Sequence, residues 1–163
     1  VTPTDKLSLV HPALADRVRL LFAKLNAEGY EFIATQGLRT WDEQNALYAK
    51  GRTTPGPEVT KAPGGHSQHN FGLAVDVTLI DKGVLDWNLA HPGWKRMLEL
   101  APSCSLAEGA EWRTFPDNPH LYPAEIPATC EVLREKYVMG GMRGVWTWFE
   151  GLLANPESKP WPV

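Results

Sequence analysis

The segment GGHSQHNFGLAVDV, residues 64–77, sets His66, His69 and Asp76 among three glycines, and a second segment, DNPH at 117–120, brings Asp117 and His120. Histidine and aspartate are the side chains from which hydrolytic metal sites are made. Such sites take three protein ligands from His, Asp and Glu and leave a fourth position for water. The other two histidines, His11 and His91, each precede a proline at the start of a helical pattern and read as structural. Taken singly, the remaining residues also have ordinary readings. Any of His66, His69 and His120 can be a hydrogen-bonded histidine, Asp76 can pair with an arginine, and Asp117 can start an Asx turn. Their combined pattern is what favours a metal site.

Those side chains need elements to carry them. Leu14, Val18, Leu21, Phe22 and Leu25 follow helical spacing, with Pro12 suited to the first turn and Gly29 to the stop. EFIATQG then reads as a short strand, and Thr40 with Glu43 makes a capping box opening a helix over WDEQNALYAK, closed by Gly51. Arg39 thereby falls at a strand-to-helix turn, where side chains are often presented to a pocket. Residues 51–66 read as a long Gly/Pro loop, a feature uncommon without a function. Leu73, Val75 and Val77 alternate with Ala74, Asp76 and Thr78, which predicts a strand with a core face and a small, polar face bearing Asp76.

HPGWKRMLELA predicts a further helix, and AEWRTFPDNPHLYP a short strand followed by a Pro-rich turn, since Pro116 and Pro119 oppose a helix there. The C-terminal stretch predicts two short helices split at Gly140-Gly141 and a Pro-rich tail. Its Val145, Trp146, Trp148, Phe149, Leu152 and Leu153 are too apolar for a solvated helix, which predicts packing onto the rest of the chain; contact of these aromatics with wall or membrane is the alternative. Helices and an antiparallel sheet in separate runs give an α+β class.

Composition narrows the function classes. The 163 residues suit one globular domain with one core. A net charge of -3 supplies no global basic field for nucleic acid. No apolar run approaches the roughly 20 residues that span a bilayer. Cys104 and Cys130 form no Cys-x-x-Cys metal spacing; a single bridge and two buried thiols both remain open.

SQHNFGLAVD matches, at Ser67, His69, Gly72, Ala74 and Asp76, the S-x-H-x-x-G-x-A-x-D signature of zinc peptidases that cut D-Ala-D-Ala or L-Ala-D-Glu bonds in peptidoglycan, and DNPH supplies their second element, D-x-P-H. The chain resembles that family over roughly residues 28–121, most of all its L-alanyl-D-glutamate endopeptidase branch, which includes phage endolysins. The resemblance implies a small antiparallel sheet flanked by helices, Hedgehog/DD-peptidase-like. It implies a zinc peptidase core over 1–123, with 124–163 a C-terminal helical extension on the same domain. It further implies that His69, Asp76 and His120 hold one zinc ion, with Asp117 as the acid/base. Relatives acting on D-Ala-D-Ala have Glu at the Asp117 position, so the aspartate favours the L-Ala-D-Glu branch.

Within that reading Arg39 is a candidate for steadying negative charge on the tetrahedral intermediate or holding a substrate carboxylate, because guanidinium offers a planar fork of donors. Ser67 is expected to fix a ligand or contact substrate, and Trp112 to wall the cleft. The expected partner is peptidoglycan, met by a monomer acting on the cell wall, either periplasmic or extracellular, or released from the cytoplasm as a phage lysin. A D-Ala-D-Ala carboxypeptidase and a non-catalytic wall-binding module are the competing readings. Asp117 opposes the second, because a purely structural zinc site gains nothing from a nearby base.

Overall fold

The computed structural model describes residues 5–109 and 117–158. The described residues gather into two compact units, one from residues up to 37 with 74–124, the other from 38–73 with residues from 125 onward.

The first unit is built on helix α1 (Pro12–Ala27) and an antiparallel sheet. His11 caps α1, its ring accepting the Ala13 N–H at 3.1 Å, and Pro12 fills the first position, where its missing N–H costs nothing. Leu14, Val18, Leu21 and Leu25 are fully buried, as the helical spacing requires, and Phe22 packs at the margin of the same core. Strands β1 (Glu31–Gln36), β2 (Val75–Asp81), β4 (Leu106–Gly109) and β5 (Asp117–Pro123) run in the order β1-β2-β5-β4, and β3 (Val84–Asp86) pairs with β2. Helix α3 (Pro92–Leu100) is capped by His91 through the Gly93 N–H and buries Trp94 and Met97. Trp94 meets Phe32 edge to face at 5.5 Å and donates its N–H to the Asp86 carbonyl, so its one polar atom is satisfied inside the core.

The sequence DNPHLYP is a strand and not the expected Pro-rich turn. Pro119 is tolerated because the ladder to β4 is interrupted there: Glu108 pairs with Leu121, Gly109 with Asp117, and the register shift between them falls across Pro119. No ladder N–H is required at that position.

The second unit holds helix α2 (Trp41–Ala49), the loop that follows it, a 3₁₀ turn over Gln68–Phe71, and helix α4 (Glu131–Ala154). The Thr40–Glu43 capping box is formed in full, with both reciprocal hydrogen bonds present. The 3₁₀ turn lies just ahead of the anticipated strand, so the regular strand starts at Val75. In α4 the backbone leaves helical geometry at Gly140 and Gly141, the split that the paired glycines predict. Val145, Phe149 and Leu152 are buried, which accounts for their apolar character. Cys104 and Cys130 are both buried free thiols.

Candidate metal centre

Asp76 and His120 sit opposite each other on β2 and β5, next to the pair Val75 and Leu121. Because side chains alternate along a strand, Val75 and Leu121 turn into the core while Asp76 and His120 share the other face. Toward β1 the ladder shifts register: Ala34 pairs with Val77 and Gln36 with Asp76, leaving Thr35 between them. The Thr35 hydroxyl donates to the Asp76 carbonyl at 3.3 Å. Irregularities of this kind bend a strand and re-aim its side chains. His120 Nδ1 lies 3.4 Å from Asp76 Oδ1, with the imidazole buried and the carboxylate one-fifth exposed.

His69 lies within the 3₁₀ turn and is buried. Ser67 caps that turn, its hydroxyl accepting the His69 N–H at 3.4 Å. The His69 carbonyl takes N–H groups from both Gly72 and Arg39. Beside it the buried Asn70 uses its whole carboxamide. Oδ1 accepts from the N–H groups of Gly65 and Ser67, and Nδ2 donates to the carbonyls of Arg39 and Thr40. A side chain bonded on four counts leaves the turn little freedom.

Asp76 and His120 offer a carboxylate and an imidazole from facing positions on β2 and β5, and His69 adds a second imidazole in the sequence motif. The donor set, two imidazoles and a carboxylate, is the kind that holds catalytic zinc. The spacing fits as well. Zinc bonds of about 2.0–2.1 Å at tetrahedral angles separate neighbouring ligand atoms by about 3.3 Å, and the His120–Asp76 distance is 3.4 Å. A charge-assisted hydrogen bond would be shorter, about 2.7–2.9 Å. Among the described residues Asp81, Asp86 and His91 also offer ligand atoms, within 4.8 Å of one another. It fits a cation poorly, because His91 Nδ1 accepts the Gly93 N–H, which leaves the proton of the neutral ring on Nε2 and no lone pair to offer.

Asp117 opens β5 three residues before His120 and is partly exposed. Gly109 lies against both: a Cβ there would come within 2.7 Å of the Asp117 carbonyl oxygen and 3.2 Å of each Cβ of Asp117 and His120. Arg39, at its turn, donates from Nη1 to Oε1 of Gln44 at 2.8 Å. Gln44 is fully buried and passes its own N–H groups to the Ala62 carbonyl and the Thr60 hydroxyl, tying Arg39 to the loop after α2. Trp112 lies outside the described residues. Asn70, Gln44 and Gly109 were not singled out from the sequence. Asn70 lies in a buried run, Gln68–Phe71, whereas Gln44 is the one buried residue of α2, and its polar neighbours Glu43 and Asn45 give no signal of it.

The family described as VanY, D-alanyl-D-alanine carboxypeptidase, matches residues 7–104, more than half of the chain. The chain belongs to the VanY family. Its similarity to the peptidoglycan L-alanyl-D-glutamate endopeptidase CwlK of Bacillus subtilis is 36% identity over 120 residues, 69% of this chain and 72% of that protein. Among solved structures, the Serratia marcescens L-Ala D-Glu endopeptidase ChiX aligns with a TM-score of 0.54 at 25% identity, over 72% of this chain and 83% of that one. A vancomycin-resistance D,D-pentapeptidase VanY in complex with Zn(II) shares the fold at a TM-score of 0.55 and 17% identity, over 70% and 72% of the two chains. The VanY match ends before β5, so His120 and Asp117 rest on the geometry above and on their D-x-P-H spacing.

Proposed function

We propose that the chain is a zinc-dependent peptidase that hydrolyses the L-alanyl-D-glutamate bond of the peptidoglycan stem peptide. The observation that carries this reading is the facing pair of Asp76 and His120, 3.4 Å apart, with His69 supplied by the zinc-peptidase motif that holds Asp76. The similarity to CwlK over most of that endopeptidase's length supports the choice of bond.

In this reading His69, Asp76 and His120 hold one zinc ion, which when bound polarises the scissile carbonyl and lowers the pKa of water toward neutrality. Asp117 is the general base: its carboxylate takes a proton from the attacking water and returns it to the D-glutamate amine as the bond breaks. That role needs a carboxylate outside the ligand set, three residues from His120 on the same strand. Arg39, held by Gln44, presents a cation at the helix entrance for the oxyanion or for a substrate carboxylate. Ser67 serves through the turn that it caps. Among the described residues no helix is long and apolar enough to cross a membrane, and we assign the chain to the wall compartment as a monomer acting on peptidoglycan.

The VanY description itself favours a second reading, release of the terminal D-alanine. Mass spectrometry of digested muropeptides separates the two. New N-terminal D-glutamate is expected from the endopeptidase, and release of free D-alanine without it would overturn that assignment.

A further inference from the structure

The VanY match stops at residue 104, yet the chain after residue 125 grips the segment that carries Ser67 and His69. Trp146 on α4 donates its indole N–H to the Phe71 carbonyl at 2.8 Å. That carbonyl closes the 3₁₀ turn, where a helix end leaves acceptors without internal partners. The same ring faces Gly72, whose φ of +65° is left-handed and where a Cβ would sit 3.1 Å from Trp146 Cζ2. Gln68, buried at the start of the turn, donates from Nε2 to the carbonyls of Pro127 and Ala128 at 3.2 and 3.1 Å. Arg134 reaches the preceding loop, with Nη1 3.0 Å from His66 Nδ1 and 3.4 Å from the Gly65 carbonyl. Since guanidinium can only donate, His66 Nδ1 is the acceptor and its neutral ring carries the proton on Nε2. His66 is thereby a strut of this loop and not a fourth ligand.

These contacts fall on the start, middle and end of residues 65–72, and all come from one stretch, 127–146. Each is made to backbone or to a flanking side chain, so what they fix is the backbone from which the His69 ring projects. A ligand held in place before the metal arrives binds it more tightly than one that must be ordered on binding. We propose that Trp146, supported by Gln68 and Arg134, is a positioning residue for the metal centre: α4 presets the His69 turn and thereby sets metal affinity. This rests on the reading of His69 as a ligand.

The test uses the full chain with Trp146→Phe, Arg134→Gln and His69→Ala, each followed by circular dichroism, zinc Kd by chelator competition, the visible bands of the Co(II)-substituted protein, and kcat and KM on purified muropeptide. Trp146→Phe keeps an aromatic ring and removes the donor. It is expected to weaken zinc binding by about tenfold, the lower end of the range for groups that orient ligands, to shift the Co(II) bands, and to lower kcat with KM little changed. A folded Trp146→Phe with wild-type Kd and Co(II) spectrum, alongside a His69→Ala that has lost zinc, rejects the positioning role and leaves the site reading standing. His69→Ala with full zinc affinity overturns the site reading, and the proposal with it. If Trp146→Phe fails to fold, Arg134→Gln decides by the same readouts: a severalfold weaker Kd supports the clamp, and an unchanged Kd rejects it.

Discussion

His120 Nδ1 lies 3.4 Å from Asp76 Oδ1, with the two residues opposite one another on β5 and β2. The sheet thus spaces this donor pair at a separation suited to sharing one ion and too long for a strong direct bond. Asp76→Asn keeps the shape of the side chain and removes its charge, while His120→Ala removes a donor outright. Both are expected to weaken zinc binding by more than about 100-fold, beyond the 10–100-fold typical of changing an orienting group, and to abolish cleavage. Metal analysis of the purified variants checks this, and full zinc occupancy in His120→Ala would reject the three-residue site. Stripping the wild-type protein with a chelator should abolish activity, and zinc should restore it.

Asp117→Ala separates base from ligand. It is expected to keep zinc and lose about 10²- to 10⁴-fold in kcat, the usual contribution of a general base. A loss under tenfold with zinc retained would remove Asp117 from the mechanism.

Gly109 carries no chemistry and still bears on the site. A methyl group there meets the Asp117 carbonyl oxygen at 2.7 Å and the Cβ atoms of both Asp117 and His120 at 3.2 Å, so β4 or the start of β5 must shift. Overpacking of this kind typically costs about 1–3 kcal/mol. Gly109→Ala is therefore expected to lower Tm and to weaken both zinc affinity and kcat. This differs from Asp117→Ala, which should affect kcat alone; thermal unfolding and zinc titration of the two variants side by side would show the distinction.

What the sequence made legible divides along physical lines. Helix α1, the Thr40 capping box and the His91 cap depend on residues within a turn of one another, and spacing alone locates them. His69, Asp76 and His120 were legible by type and motif. The pairing of Asp76 with His120 depends on the β2–β5 register, which no local pattern encodes. DNPHLYP was misread for the same reason. Proline argues for a turn until the neighbouring strands are known, and only the shift between Glu108 and Gly109 shows why Pro119 can sit in a ladder. The hubs Asn70 and Gln44 were invisible because their partners, such as Gly65, Arg39 and Ala62, are identified only once the chain is folded.

In the proposed mechanism Arg39 presents charge to the substrate, and Gln44 holds it by the 2.8 Å hydrogen bond from Nη1 to Oε1. Arg39→Lys keeps the charge but loses the planar fork, and is expected to reduce kcat/KM by one to two powers of ten, about 1.4–2.8 kcal/mol, with zinc content unchanged. Gln44→Leu leaves the Thr60 hydroxyl, the Ala62 carbonyl and the Arg39 guanidinium short of a partner, at a cost of about 1–3 kcal/mol in stability. Its activity loss should follow that of Arg39→Lys. Equal activity of Gln44→Leu and wild type at a temperature where both are folded would detach Gln44 from the site.

Cys130 provides a prediction in pH. Burial pushes its thiol up to about 12, against a smaller downward pull from Arg134 and an upward push from Glu131. A group whose pKa is raised on folding holds its proton more tightly in the native state. Its contribution to stability is therefore fully present below the unfolded value of 9.0 and is lost as pH rises through about 12. Reactivity follows the thiolate: at pH 9 much of an exposed thiol is ionised, whereas burial keeps Cys130 almost wholly protonated. Iodoacetamide at pH 9 is expected to label Cys130 rapidly in denaturant and at least 100-fold more slowly in the native chain, as followed by peptide mass spectrometry. Cys130→Ala should flatten the decline of stability between pH 9 and 11. If native and denatured labelling rates are the same, the thiol is not buried as described, and the packing around the start of α4 would need to be redrawn.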